Sequence, residues 1–215
     1  MQEQTNYAGL KTTNWGAALE NTRFRNKLIA GVIMLTCILL LFPYFFAYIE
    51  KRNGVILDDI LLRYIGPVDL SIPIFIIIWS TTLLFIIRSF YFPVIFINAV
   101  YCLSFLSLMR MLSIYLTPLD PPATLIAIKD PLTSITYGGK DVFMTKDLFF
   151  SGHTSNMLML ALCFEKRNDR LIGFLAAVSV GVLVLFQHAH YTIDVVAAFL
   201  ITGFVVLFGK KAAEH

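Results

Sequence analysis

The stretch LIAGVIMLTCILLLFPYFFAYI, residues 28–49, contains no charged side chain. The hydrocarbon core of a bilayer is about 30 Å thick, and about 20 consecutive apolar residues cross it as a helix. The stretch therefore predicts a membrane-spanning helix, and it is too long for the apolar part of a secretory signal. Further apolar stretches predict spans near residues 70–87, 92–116, 148–164, 171–186 and 191–208.

The composition of the whole chain supports this interpretation. Of the 215 residues, 58% are hydrophobic and 14% are charged, against about 25% charged in an ordinary soluble domain. A soluble protein of this size could not cover so much apolar surface. The net charge of +3 comes without a basic cluster, which argues against nucleic-acid binding. We therefore expect an all-α, polytopic membrane protein with six transmembrane helices.

The domain organisation follows from these spans. Residues 1–27 are predicted to form a cytoplasmic N-terminal tail, residues 28–208 the membrane domain, and residues 209–215 a cytoplasmic C-terminal tail. With this orientation the cytoplasmic side holds ten Lys and Arg residues against six on the other side, as the positive-inside rule requires. The connection near residues 117–146 is rich in Pro and Gly and unusually long, so we expect it to cover a site.

Four ionisable side chains are predicted to share one level near the extracytoplasmic face. His153 begins the fourth span, and His188 and His190 begin the sixth, which puts both starts on that face. Arg110 lies roughly 9 Å below the outer end of the third span, at 1.5 Å per residue. Ionisable residues at membrane depth are costly and mark functional sites.

The spacing of His190 and Asp194 indicates a paired function. Residues four apart lie on one face of a helix, so the carboxylate can accept a hydrogen bond from one ring nitrogen. That bond fixes the tautomer and leaves the other nitrogen as a base or nucleophile. The alternative is a buried hydrogen bond that only ties helices together.

The start of the fourth span has features of an anion site, because helix N-termini present free N–H groups and a partial positive charge. Gly152 allows close approach of a ligand, and Ser151 and Thr154 can donate hydroxyl hydrogen bonds or simply cap the helix. Arg110 adds forked donors suited to phosphate, unless it only reaches towards the interface. Lys146 is a further candidate, with a solvated loop lysine as the alternative.

Together these residues favour phosphoryl transfer. One histidine would attack phosphorus and the other would protonate the leaving oxygen, while His188 would help to position the phosphate or face the headgroup region. A zinc site is the competing use of three histidines, but it would leave the anion-binding features unexplained. The three cysteines show neither metal-site spacing nor a disulfide pattern, and we expect no cofactor.

Two motifs resemble those of a known family. Residues 147–154, DLFFSGHT, and residues 188–196, HAHYTIDVV, resemble the sphingomyelin synthase group of the type 2 phosphatidate (lipid phosphate) phosphatase superfamily. Residues 110–119, RMLSIYLTPL, are similar to the arginine-containing region of that group. The resemblance covers roughly residues 109–202.

The resemblance implies a six-span bundle with cytoplasmic termini and an extracytoplasmic site that exchanges a phospho-headgroup between lipids. It implies His190 as the nucleophile, Asp194 as the residue that orients it, and His153 as the residue that handles the leaving group. Phe150 stands where broad lipid phosphatases carry Pro, which favours the synthase branch. Ala189, in contrast, stands where the synthases carry an acidic residue.

The expected activity is transfer of a phospho-headgroup from a phospholipid to a ceramide- or diacylglycerol-like alcohol, through a phosphohistidine. Two alternatives remain open. Water as the acceptor would make the protein a lipid phosphate phosphatase, and a His–Asp proton relay would make it a transporter. The partners expected in each case are membrane lipids, and the oligomeric state is left open.

Overall fold

A computed structural model describes residues 14–127 and 145–214 of the protein. These residues form helices, with one isolated bridge between Val55 and Leu119 and no named strand, which confirms the all-α class. Residues 1–13 of the predicted tail and 128–144 of the predicted covering loop lie outside this description. The helices are α1 (Trp15–Glu20), α2 (Thr22–Glu50), α3 (Ile60–Tyr64), α4 (Ser71–Tyr91), α5 (Pro93–Leu116), α6 (Gly152–Cys163), α7 (Arg167–Phe186) and α8 (Thr192–Glu214).

Five of the described helices are long and apolar enough to cross a membrane: α2, α4, α5, α7 and α8. The predicted fourth span becomes helical only at Gly152, and α6 has 12 residues. Such a helix is about 18 Å long, which is shorter than the bilayer core. The predicted count of six spans is therefore not confirmed. The five apolar helices and their exposed apolar side chains support an integral membrane protein.

Two helices extend beyond the predicted spans. The Asn21 side chain accepts a hydrogen bond of 3.0 Å from the backbone N–H of Phe24, so α2 begins at Thr22 rather than near Leu28. Such a cap satisfies an N–H group that the first helical turn would leave without a partner. At the other end of the chain, α8 continues to Glu214 instead of ending near residue 208.

The helices alternate in direction between two ends of the bundle. At the first, which we call the terminal end, Lys27 Nζ donates to the Ala212 carbonyl at 2.7 Å, and Arg88 pairs with Asp169 at 2.6 Å. The opposite end, called the histidine end, contains the end of α2 and the starts of α6 and α8. Residues near both ends of the chain thus lie on one side of the bundle, and their predicted cytoplasmic location stays a prediction.

The short α6 lies inside the bundle, where it packs against α7, α8 and α5. Nine of its twelve residues are buried, whereas few residues of α2 and α4 are buried. Glycines let the neighbouring backbones come close: a Cβ added at Gly173 would lie 2.8 Å from the Ala161 Cα. Close contact between small residues is the usual way for helices to associate in lipid, where burial gives little driving force.

Glycine on α8 provides a test of this packing. A Cβ at Gly209 would lie 2.8 Å from both the Cα and the Sγ of Cys102, whereas a Cβ at Gly203 would meet nothing within 4 Å. We expect Gly209→Ala to destabilise the protein by about 1–3 kcal/mol through overpacking. Gly203→Ala should be neutral or slightly stabilising, because alanine is the better helix former. Thermal midpoints in detergent measure both, and equal midpoints for the two variants would contradict the close α5–α8 contact.

Candidate active site

Two histidines from separate motifs meet at the histidine end of the bundle. The ring centroids of His153 and His190 are 6.5 Å apart, with the ring planes at 64°. His153 lies in the first turn of α6, and His190 precedes α8. A backbone hydrogen bond of 3.1 Å from Ser151 N–H to the Asp194 carbonyl joins the two helix starts. The fold therefore brings together the three residues that the sequence assigns to catalysis.

His190 and Asp194 are hydrogen-bonded, but not along one continuous helix as the sequence suggested. His190 lies in the turn before α8, and its Nδ1 is 3.3 Å from Asp194 Oδ2. The same oxygen accepts the backbone N–H of Tyr191 at 3.1 Å, which is the role of the acidic residue in a capping box. The carboxylate thus shapes the turn and orients the ring, which leaves Nε2 of His190 as the nitrogen for chemistry.

Burial separates this pair from an ordinary surface contact. Asp194 is fully buried and His190 is 4% exposed. The second carboxylate oxygen of Asp194, Oδ1, is buried and has no hydrogen-bond partner among the described residues. A buried acceptor left in this way is unusual and costs free energy, which makes Asp194 a candidate functional residue.

Arg110 lies directly against the start of α6. A Cβ added at Gly152 would lie 2.6 Å from the guanidinium carbon and from both terminal nitrogens. Arg110 Nη2 donates to Asp147 Oδ1 at 2.5 Å, and its Nε donates to the Phe150 carbonyl at 3.4 Å. The glycine therefore makes room for the arginine, whereas the sequence interpretation had it make room for a ligand.

Asp147 was not among the predicted site residues. Burial would raise the pKa of its carboxyl group, but the Arg110 charge and hydrogen bond, with smaller contributions from His190 and His153, hold that pKa below its ordinary value. Asp147 is therefore a carboxylate that fixes Arg110 within the site. Two features of the sequence could have indicated Asp147. It is the first residue of the motif at 147–154, and an arginine within a membrane span requires an anionic partner.

Ser151 and Thr154 bond to each other at the α6 N-terminus. Ser151 Oγ donates to Thr154 Oγ1 at 3.1 Å and accepts the Thr154 backbone N–H at 3.4 Å. Both residues are fully buried. These contacts agree with the capping alternative, and a role of either hydroxyl in binding phosphate stays a prediction.

His188 connects loops at the histidine end. Its Nδ1 is 2.5 Å from Thr124 Oγ1, and its Nε2 is 2.8 Å from the Ile65 carbonyl oxygen. Its backbone has φ 52°, a left-handed conformation that is uncommon for a residue other than glycine. Both ring nitrogens thus have protein partners, which favours a structural role over the predicted substrate contact.

Lys146 is engaged in a similar way. Its Nζ lies 2.7 Å from Asp120 Oδ1 and donates to the Arg52 carbonyl at 2.5 Å. The pKa of Asp120 is lowered, mainly by its hydrogen bond with this lysine. The lysine charge is therefore matched by a neighbouring carboxylate, and its predicted contact with phosphate stays a prediction.

The segment that contains most of these residues matches a known protein family. Residues 145–211, about a third of the chain, match the family model of the PAP2 superfamily C-terminal domain. The matched segment contains His153, His190 and Asp194. The match supports a relationship to the type 2 phosphatidate phosphatase superfamily and an enzyme of lipid phosphatase or phosphotransferase type. The comparison with curated proteins gives no match.

The competing zinc hypothesis has no geometric support within residues 14–127 and 145–214. No group of three His, Cys, Asp or Glu side chains in this part of the chain is arranged to hold a metal ion. The histidine pair is accompanied instead by Arg110 and the α6 N-terminus, which are anion-binding features.

The Arg110–Asp147 pair predicts a pH-dependent contribution to stability. A lowered carboxyl pKa stabilises the folded state above the ordinary Asp value of about 3.9, and this contribution is lost as the pH falls through the lowered pKa. We expect Asp147→Asn to lose about 1.5–3 kcal/mol at pH 7, with the difference from wild type shrinking below about pH 4. Thermal midpoints across pH 3–8 measure it.

The matched control is Asp58→Asn, since Asp58 pairs with Arg63 where both side chains are mostly exposed. An exposed pair contributes little, so this variant should follow wild type at every pH. A constant difference between Asp147→Asn and wild type down to pH 3 would contradict the assignment of the effect to the carboxylate charge.

Proposed function

We propose that the protein is a membrane phosphotransferase that moves a phospho-headgroup from a phospholipid to a ceramide- or diacylglycerol-like alcohol, similar to sphingomyelin synthases. The observation that carries the proposal is the meeting of His153 and His190, with ring centroids 6.5 Å apart and His190 hydrogen-bonded to Asp194. The match to a lipid phosphatase superfamily over the same residues supports it.

In the first step, Nε2 of His190 attacks phosphorus. The N–P bond forms as the bond between phosphorus and the diacylglycerol oxygen breaks, and protonated His153 gives its proton to the departing oxygen. Asp194 stabilises the positive charge that develops on the His190 ring. In the second step, neutral His153 takes the proton of the acceptor hydroxyl, whose oxygen attacks phosphorus, and the N–P bond breaks to restore His190.

Electrostatic stabilisation of the phosphoryl oxygens falls to the start of α6 and to Arg110. The N-terminal N–H groups of a buried helix are fixed donors that cost no reorganisation during the reaction. Arg110 contributes a charge whose position is set by Asp147 and by the absence of a Cβ at Gly152. This part of the mechanism applies equally to transfer and to hydrolysis.

The acceptor distinguishes the proposal from its alternative, a lipid phosphate phosphatase that uses water. His190 is almost fully buried and His153 is partly buried, within a bundle whose outer helices expose apolar side chains. A site that excludes water protects a reactive phosphohistidine from hydrolysis, which favours an acceptor that arrives from the membrane. The superfamily match is the observation that favours the phosphatase.

Product analysis tests the choice of acceptor. The protein is reconstituted in vesicles that contain headgroup-labelled phospholipid, with and without ceramide or diacylglycerol. We expect the label to appear on the added lipid alcohol only when that alcohol is present. Release of free phosphate or phospho-headgroup alone would overturn the transferase and support the phosphatase. Proton-dependent transport without any product would support the transporter.

The phosphohistidine intermediate predicts a trappable phosphoprotein. Brief incubation of the wild type with phosphate-labelled donor, without acceptor, should give acid-labile label on the protein, and His190→Ala should give none because it lacks the nucleophile. Equal thermal midpoints would show that the variant is folded. Label retained by folded His190→Ala would contradict the assignment of the nucleophile.

The role of His153 as the acid predicts a dependence on the leaving group. His153→Ala should lower turnover of a natural phospholipid by about 100- to 10,000-fold, the usual contribution of general acid–base catalysis. It should lower phosphoenzyme formation from a donor with a p-nitrophenol leaving group much less, since that group departs without a proton. Rates of phosphoenzyme formation for both donors are the measurement. An equal loss of rate for the two donors would indicate that His153 has a binding or structural role instead.

A further inference from the structure

Asp59, a residue outside the site, forms hydrogen bonds with the start of α8. Asp59 Oδ2 accepts the backbone N–H of Thr192 at 2.6 Å, and its Oδ1 accepts the Thr192 hydroxyl at 2.9 Å. Oδ1 also accepts the backbone N–H groups of Leu61 and Leu62 at 3.0 and 3.3 Å, so that Asp59 caps α3 as well. The loop after α2 is thereby connected to the segment between His190 and Asp194.

The position of Thr192 makes this contact relevant to chemistry. Thr192 is the first residue of α8 and lies between His190 and Asp194 in the chain. Its N–H would have no partner within the helix. Asp59 satisfies that group from outside, while Asp194 satisfies the adjacent N–H of Tyr191 from inside. Both backbone N–H groups at the start of α8 are thus bonded to carboxylates.

The Tyr191 side chain strengthens the same connection. Its hydroxyl accepts the backbone N–H of Leu57 at 3.1 Å and donates to the Asp120 carbonyl at 2.8 Å. Tyr191 is 1% exposed. Hydrogen bonds from Thr192 hold the pKa of Asp59 below its ordinary value although burial acts to raise it, so Asp59 is an anion at neutral pH. Leu57 and Asp59 thus form hydrogen bonds with Tyr191 and Thr192, the two residues that follow His190.

We propose that Asp59 is a positioning residue for the His190–Asp194 pair, acting through Thr192 to hold the imidazole at its distance from His153. The inference rests on the proposed function. The contacts of Asp59 are with Thr192 and with the start of α3, and a role limited to capping α3 is the competing explanation. A displacement of about 1 Å at a reacting centre can cost about 100-fold in rate, so loss of these contacts should be measurable.

The test compares Asp59→Asn with Asp58→Asn in the full-length protein. The first substitution keeps the shape of the side chain but places an NH₂ group against N–H donors, which breaks at least one of the bonds. Asp58 is the adjacent residue of the same type, and its exposed side chain pairs with Arg63, away from the start of α8. We expect Asp59→Asn to lower kcat by about 10- to 100-fold with little change in KM, and Asp58→Asn to change neither.

Amide hydrogen exchange supplies a readout that does not need activity. Asp59→Asn should speed exchange in peptides covering residues 190–194, with exchange in α6 unchanged, while Asp58→Asn should leave both slow. If the wild type transfers no phosphoryl group, the proposed function fails. Hydrogen exchange alone then tests whether Asp59 holds the start of α8. Wild-type kcat or unchanged exchange in folded Asp59→Asn would overturn the positioning role. So would a loss of activity that only follows a loss of folded protein.

Discussion

The site depends on the hydrogen bonds of one residue, Asp194. Its carbonyl accepts the N–H of Ser151, and its carboxylate accepts the N–H of Tyr191 and lies within 3.3 Å of the His190 ring. These contacts join the start of α6 to the start of α8, so His153 in the first turn of α6 and His190 in the turn before α8 are held close together. Since a buried anion is tolerated only with such partners, the fold and the chemistry share one constraint.

The need to pair buried polar groups also explains the arrangement of the helices around Asp194. In lipid, backbone N–H and C=O groups need partners within the protein, so a helix as short as α6 is tolerable only inside other helices. Glycines at 173 and 209 let those helices approach until a Cβ would clash with the neighbouring backbone. The N-terminus of the short helix, at Ser151 and Gly152, is buried inside the bundle, where hydrogen bonds are electrostatically stronger than in water.

Much of the fold could be predicted because it follows from local hydrophobicity. The apolar stretches located the five long helices, and the common level of His153 and His190 came from topology alone. The length of α6 could not be predicted, because the apolar residues 148–150 that precede it are not helical and the helix begins only at Gly152. The partners of His188 and Lys146 come from loops distant in sequence. Such tertiary contacts decide whether a polar residue has a substrate-binding or a structural role. They cannot be deduced from spacing along the chain.

The charges of the described cluster bear on the choice of donor. With both carboxyl groups ionised and both histidines neutral, the formal charge of Asp147, Asp194 and Arg110 together would be −1. It would repel a phosphate monoester, which carries a charge of about −1.5 to −2 at neutral pH, more than a phosphodiester with a single charge. Protonation of His153 removes the excess charge and supplies the acid that the first step needs. A phosphodiester phospholipid would therefore suit this cluster better than a phosphatidate, in keeping with the proposed transfer from an intact phospholipid.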